Sequence, residues 1–534
     1  MFMRVQLPGI WTATAILATL RAQAGVPAPI VDLGYAQYQG SVNASTNVTS
    51  FFGIRYAAAP VGDLRFSAPQ PPANVTGVQD ATTQPNECFQ AGSGVSAANP
   101  LRTRAIDSSE DCLFLNVYYP SDAEGVPLED LPVVVWIHGG GFVGGAASQY
   151  RGSDLIAQSN RGLVAVMIQY RLGLFGFLPG TEVKKNGALN AGLLDQDFAL
   201  RWVREHISKF GGDPSKVTIW GESAGAGSVL LQMIANNGNT EPQLFRGAIS
   251  SSNYLGSQYA YDDPIPESLY SEVVAQTNCT GAADSMACLR AADAGTLQTA
   301  NVGLNNAAFS HTFLFVPVVD GTFITQRPLL SLAQGKKSLM VVTNAFEGTN
   351  FVNQTATINA TDYAFQLFPK FTEEQAHEVG EVYAPLGTQL FQKNAIMGES
   401  IFTCSAYALI NSFSGNLFKG EFAVPPGTHG ADVSFYFPSF TIDVPAANKR
   451  VYNNTQFVDA FAQSFTAFVI SQDPNMKISD TILPRWDGWD PVGRTEMLFN
   501  RTDAGIPDLR QITTSDALLE RCQFWASLGQ LTGH

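Results

Sequence analysis

Charge is scarce in this chain. Asp, Glu, Lys and Arg make up 14% of the 534 residues, and the basic share is the smaller, 31 Lys and Arg against 46 Asp and Glu, for a formal net charge of −15. No basic run occurs anywhere, so the electrostatic footprint needed for nucleic acid or an anionic membrane surface is missing. Metal-site spacing is missing as well. No cysteine pair has C-x₂₋₄-C spacing and no histidine pair has H-x₃₋₅-H spacing, so neither a metal site nor a metal cofactor is expected. After the amino-terminal stretch no apolar run reaches the length of a membrane span. Internal repeats, low-complexity tracts and Pro/Ser linkers are also lacking. What is left, at 45% hydrophobic, is a globular composition with material for a large core.

Residues 1–24 carry Arg4, an apolar stretch ending IWTATAILATL and an A-x-A signal at Ala22 to Ala24. This reads as a secretory signal peptide, too short and too interrupted by Pro8 for a comfortable membrane anchor. Asn-x-Ser/Thr sequons at Asn43, Asn47, Asn74, Asn278, Asn353, Asn359, Asn453 and Asn500 fit a glycosylating, oxidising route and a secreted glycoprotein. Six cysteines in such a chain point to three disulfides. Spacing favours a small loop between Cys279 and Cys288 and a medium loop between Cys88 and Cys112, leaving Cys404 for Cys522.

Five apolar, β-branched runs read as buried strands: 131–140, 162–171, 216–223, 245–252 and 337–348. Between the second and third, Leu194, Phe198, Ala199, Trp202 and Val203 stand at helical spacing, and Gly211, Gly212 and Pro214 end the pattern. Strands alternating with helices predict an α/β fold with a mostly parallel sheet covered on both faces. One catalytic domain over residues 25–534 is the simplest organisation.

Gly221-Glu222-Ser223-Ala224-Gly225 is a G-x-S-x-G sequence directly after a strand-like run and before a helix-compatible one. In that context it reads as a sharp strand-to-helix turn presenting Ser223 as a nucleophile. A serine hydroxyl needs a base, an orienting acid and donors for the oxyanion. Backbone N–H groups of Gly140 and Gly141, in the run His138-Gly139-Gly140-Gly141-Phe142, are candidate donors with that of Ala224. Glu347 ends a strand-like run, where it is either the acid or an exposed strand-end carboxylate. Of the six histidines, His206 and His377 lie in charge-rich helical stretches and read as solvated, His311 has no motif around it, and His534 is terminal. His138 precedes the serine and reads as a shaping residue of the glycine loop. His429, in Pro426-Gly427-Thr428-His429-Gly430-Ala431-Asp432, completes the order Ser, Glu, His.

From about residue 30 to 525 the chain resembles the type-B carboxylesterase/lipase family, which contains cholinesterases and fungal lipases. Phe52-Gly53-Ile54-Arg55-Tyr56-Ala57 with Arg65, Phe66 and Pro69, then Glu110-Asp111-Cys112-Leu113-Phe114-Leu115-Asn116-Val117, then G-E-S-A-G-A-G-S from Gly221 carry the resemblance. It implies an α/β-hydrolase fold and a triad of Ser223, Glu347 and His429. It also implies an oxyanion hole of Gly140, Gly141 and Ala224, the three disulfides favoured by spacing, and no cofactor. Arg55 with Glu110, and Arg171 with Asp195, would be structural ion pairs.

The resemblance makes residues 88–112 a lid loop over the site. Its bulkier aliphatics are only Val95, Leu101 and Ile106, too few for a broad lipid-opening face, so a carboxylesterase acting on apolar or medium-chain esters is expected over an interface-activated lipase. A triacylglycerol or sterol-ester lipase is the alternative. The loop holds no Trp, whereas cholinesterases carry one there to hold a quaternary ammonium by cation–π attraction, so choline esters are not expected. Phe313, Phe315 and Phe351 are candidates for an apolar acyl pocket or for core positions. Some relatives with this fold are non-catalytic adhesion proteins, but those lack an intact triad. No stable membrane insertion and no nucleic-acid partner are expected, only a small-molecule or lipid ester.

Overall fold

The structure, a computed structural model, describes residues 28–93, 108–309, 311–332, 335–440 and 452–534. The expected leader at 1–24 and the middle of the expected lid loop, including Val95, Leu101 and Ile106, lie outside the described residues.

Among the described residues, one large sheet has eleven strands: β1 (Ser41–Asn43), β2 (Val48–Arg55), β3 (Phe114–Pro120), β4 (Leu131–Ile137), β5 (Val164–Ile168), β6 (Gly212–Glu222), β7 (Gly247–Ser251), β8 (Ser338–Asn344), β9 (Leu417–Phe422), β10 (Thr495–Arg501) and β11 (Pro507–Thr513). Their order is β11-β10-β9-β8-β7-β6-β4-β5-β3-β2-β1. The strands from β10 across to β5 pair in parallel. Both edges are antiparallel. All five apolar runs are strands, β4 to β8.

Alternation along these strands divides the core in two. Val133, Val135 and Ile137 of β4 face one apolar cluster; Val134 and Trp136 face the other. That is the two-residue period of a pleated strand buried on both faces. On the first face lie helices α1 (Ala191–His206) and α2 (Ala224–Ile234). Within α1, Leu193, Ala199, Leu200, Trp202 and Val203 are buried, whereas Leu194 and Phe198 are only half-buried. The second face is closed by α4 (Thr455–Ser471), whose Phe457, Phe461, Phe465 and Phe468 recur at helical spacing. Between them in the chain, α3 (Pro264–Gln276) starts on a Pro turn capped by Asp263. Each fully buried aliphatic or Phe contributes roughly 1.5–3 kcal/mol, so the two faces carry much of the stability.

The three disulfides form as spacing favoured: Cys88–Cys112, Cys279–Cys288 and Cys404–Cys522. One ion pair differs from expectation. Glu110 pairs with Arg65, and Arg55 pairs instead with Asp111. Burial explains the exchange. Arg65 lies inside and gives its remaining N–H groups to the carbonyls of Leu289, Arg290 and Ala292, so the inward Glu110 is its counter-charge. Asp111, half-exposed, meets Arg55 where that side chain lies over Phe114. Arg171 and Asp195 form a buried bidentate pair, as expected. His206 is not solvated. It is buried between Tyr35 and Trp202, whose rings lie 5.9 and 5.2 Å away, and desolvation pushes its pKa down. His377 is exposed, as expected.

Candidate active site

The named residues all follow strand C-terminal ends. The glycine loop follows β4, Ser223 follows β6, Glu347 follows β8 and His429 lies beyond β9. In an open α/β sheet, sites collect outside those ends where the strand order reverses. Here β5 lies on one side of β4 and β6 on the other.

Ser223 has φ 58° and ψ −126°, a region that L residues seldom occupy, and α2 starts at the next residue. Its N–H donates to Ser251 O at 3.0 Å and its O accepts from Gly227 N at 2.9 Å, so strand and helix both hold the turn. The flanking glycines are needed for space. A Cβ at Gly225 would lie 2.0 Å from Ile137 O, and one at Gly221 would lie 2.3 Å from the Gly225 backbone. Strain of this kind, about 1–3 kcal/mol, persists only where the surroundings over-determine it.

The glycine loop packs against this turn. A Cβ at Gly139 would sit 2.9 Å from Ser223 Cβ, and one at Gly141, where φ is 64°, would sit 2.4 Å from the Phe313 ring. Gly140 O accepts from Val143 N and Gly144 N, which folds the loop back on itself. Ala224 is the first residue of α2, so its N–H belongs to the unsatisfied first turn of a helix. His138 is buried, stacked on Tyr170 with centroids 4.5 Å apart, with Nδ1 2.9 Å from Gly139 O. It supports the loop from behind.

Glu347 and His429 meet because the chain after β8 continues beside the chain after β9. Ala345 N donates to Phe422 O and Phe346 N to Gly427 O, both at 2.9 Å. This places His429 Nδ1 2.7 Å from Glu347 Oε2. The other carboxylate oxygen accepts from Asn344 N at 2.7 Å. Glu347 is 2% exposed, so it is not a solvated strand-end carboxylate. His429 Nε2 has no hydrogen-bond partner among the described residues and lies 3.3 Å from Glu222 Oε1, one residue before Ser223.

Three carboxyl groups surround this imidazole. Burial opposes its charged form, but Glu222, Glu347 and Asp432 outweigh burial, and its pKa is raised above the ordinary 6.5. Glu222 is pushed up to about 8 by desolvation, with Asp432 and Glu347 adding to the effect and His429 opposing it. The two groups titrate as a pair. Asp432 accepts from Asn344 Nδ2 at 3.0 Å and Tyr436 OH at 3.0 Å. Phe402 and Phe351 cover the ring at centroid distances of 4.5 and 4.9 Å.

Sequence reasoning did not assign roles to Glu222, Asp432, Asn344 or Phe402. Glu222 and Asp432 lie inside the motifs it used, and that adjacency was the available signal. Phe402 had none, because it is brought in by a π-turn at Glu399–Thr403, a kind of irregularity frequent at functional sites. Of the three candidate pocket phenylalanines, Phe313 packs on Gly141 and Phe351 on His429. Phe315 is fully buried in the core, and the bend of the chain at Leu314 and Phe315 turns it away from Phe313.

Behind Phe313 and Tyr254 lies a mostly apolar cavity of about 570 Å³, also lined by Leu304, Val318, Met397 and Ile401. That volume is in the range of small-molecule sites. Tyr254 N bonds Ser223 O at 3.3 Å, so the cavity wall and the strained turn share a residue.

The sheet order, the strained serine turn and the strand-end histidine–carboxylate pair together define an α/β-hydrolase. The chain belongs to the Carboxylesterase family, whose profile matches residues 27–525. It is 30% identical to Carboxylesterase patB of Aspergillus clavatus over 576 residues, covering 97% of this chain and 99% of that protein. It is 37% identical to Secreted lipase 1 of Botryotinia fuckeliana over 352 residues, a match that spans 61% of this chain and 61% of that protein. The solved structure of Aspergillus niger EstA is similar with a TM-score of 0.84 and 30% identity, over 95% of this chain and 99% of that one. The protein is a carboxylic ester hydrolase.

Proposed function

We propose that Ser223 is the nucleophile of a two-step acyl transfer carried out by a single catalytic domain over residues 25–534. Its hydroxyl attacks the ester carbonyl while His429 Nε2 takes the hydroxyl proton, and Glu347 holds the imidazolium through Nδ1. The tetrahedral oxygen is stabilised by the N–H groups of Gly140, Gly141 and Ala224. Collapse breaks the ester C–O bond, and His429 returns the proton to the departing alcohol. Water, deprotonated by the same imidazole, then releases the acid and restores Ser223. The observation that carries this reading is the 2.7 Å His429–Glu347 bond with the opposite ring nitrogen unpartnered beside the Glu222–Ser223 turn.

The substrate is an ester with an apolar acyl group, housed in the cavity behind Phe313. A lipase acting on dispersed triglyceride is the second reading, favoured by the names of several relatives. The chain is read as secreted, which its leader-like start and the printed names of two fungal relatives support. Ser223→Ala with p-nitrophenyl butyrate tests the nucleophile: hydrolysis should disappear, and undiminished turnover would overturn it. Comparing soluble esters with emulsified triglyceride separates the two substrates. A sharp rate increase above the solubility limit would favour the lipase.

A further inference from the structure

Five of the seven residues from Gly139 to Gly145 are glycine. Such a run has almost no side chain with which to fix the direction of its own N–H groups, and glycine has the most backbone freedom to lose. Its donors must be held from outside. The second half of the loop is the floor of the first: a Cβ at Gly140 would lie 2.3 Å from Gly144 O, and one at Gly145 would lie 2.3 Å from Gly139 O. That second half is tied to residues 87–91, where the 88–112 loop begins. Ala91 N donates to Val143 O at 2.7 Å. Gly145 N donates to Gln90 Oε1 at 3.2 Å, and Gln90 Nε2 donates to Glu87 Oε2 at 2.9 Å. The other Glu87 oxygen accepts from Ser148 Oγ at 2.5 Å, which closes a ring back onto the glycine loop through two side chains. Glu87 is buried, and the Cys88–Cys112 bridge fixes the segment just ahead of β3.

We propose that Gln90 is a positioning residue for the oxyanion hole. It holds Gly145, Glu87 holds both Gln90 and Ser148, and the floor so fixed sets where the Gly140 and Gly141 N–H groups point. This rests on the reading that those groups stabilise the tetrahedral oxygen. An amide suits the place, because it accepts from Gly145 with one end and donates to a carboxylate with the other. The held donors act most strongly once charge has developed on the oxygen, so loosening them lowers kcat and leaves ground-state binding nearly unchanged.

The test is p-nitrophenyl butyrate hydrolysis together with inhibition by trifluoromethyl butyl ketone, whose carbonyl takes up the serine oxygen to give a tetrahedral adduct with an anionic oxygen. Gln90→Ala should lower kcat about tenfold to a hundredfold, up to the lower end of what deleting one donor costs, with KM within about threefold. Ketone affinity should fall by the same factor as kcat/KM. Gln90→Glu keeps an acceptor for Gly145 but sets a second carboxylate against Glu87, and it should lose activity as well. Adding Glu87→Gln to it exchanges the two ends of that hydrogen bond and keeps the Gly145 and Ser148 contacts, so kcat should recover at least about fivefold over the single variant. If Gln90→Ala does not fold, as near-ultraviolet circular dichroism would show, the exchange decides alone. A kcat for folded Gln90→Ala within about threefold of the unsubstituted protein overturns the proposal. So does a loss of kcat/KM with ketone affinity unchanged, or no recovery in the exchange. An unsubstituted protein that the ketone fails to inhibit would instead overturn the oxyanion-hole reading, and this is seen before any variant is made.

Discussion

Replacing Glu347 by Gln puts the proposed acid to a quantitative test. The carboxylate accepts from two donors at once, His429 Nδ1 and Asn344 N, each at 2.7 Å, and it is almost fully buried. A glutamine offers one oxygen and one NH₂ in the same place. It satisfies one donor and turns its own N–H groups toward the other, leaving the imidazole either in the wrong tautomer or displaced. The charge is lost as well. At 2.7 Å and an effective dielectric of about 20, a carboxylate and an imidazolium attract by about 6 kcal/mol before desolvation, a ceiling of roughly four decades in rate. We therefore expect kcat to fall about a thousandfold to ten thousandfold, as when the acid of a serine-protease triad is replaced by its amide. The assay is p-nitrophenyl butyrate hydrolysis on the alkaline plateau, with near-ultraviolet circular dichroism to show that the fold is kept. Glu347→Asp keeps both acceptors and should recover part of the loss. A folded Glu347→Gln protein losing less than about tenfold would refute the reasoning.

Two further outcomes follow from the geometry. The proposed base, His429, would work only as neutral imidazole, and its pKa is raised, so activity should be lost as pH falls through a midpoint above the ordinary 6.5. Glu222→Gln removes one of the carboxylates that raise it and should move this midpoint down; a midpoint at or below 6.5 in the unsubstituted protein contradicts the assignment. The Cys404–Cys522 bridge closes the longest loop, 118 residues apart in sequence, for which the chain-entropy account gives about 4.7 kcal/mol. Replacing both cysteines by serine should shorten the half-life of activity on heating, and an unchanged half-life would show that this bridge does not limit unfolding.

The sequence by itself determined the middle of the sheet and the turn that is local in the chain. Strands β4 to β8 were legible because a strand buried on both faces must be apolar throughout, and the serine turn was legible because its glycines are required within five residues. Cysteine spacing favoured the three bridges that form, and the family resemblance implied the same pairing. Partners brought together across the chain were decided only by the tertiary structure. Glu347 and His429 touch because the segments beyond β8 and β9 run side by side, and nothing in either segment alone encodes that contact. The exchange of partners among Arg55, Arg65, Glu110 and Asp111 has the same origin. Adjacent acids look equivalent in a sequence, and burial separates them by selecting which faces inward. His206 was misread as solvated because charged neighbours along a helix do not report which side of it packs. The environment of His429, with Asp432 from its own loop and two further carboxyl groups and two phenyl rings from distant segments, sets its proton affinity through desolvation and Coulomb attraction. Both depend on distances in space, which a sequence does not contain.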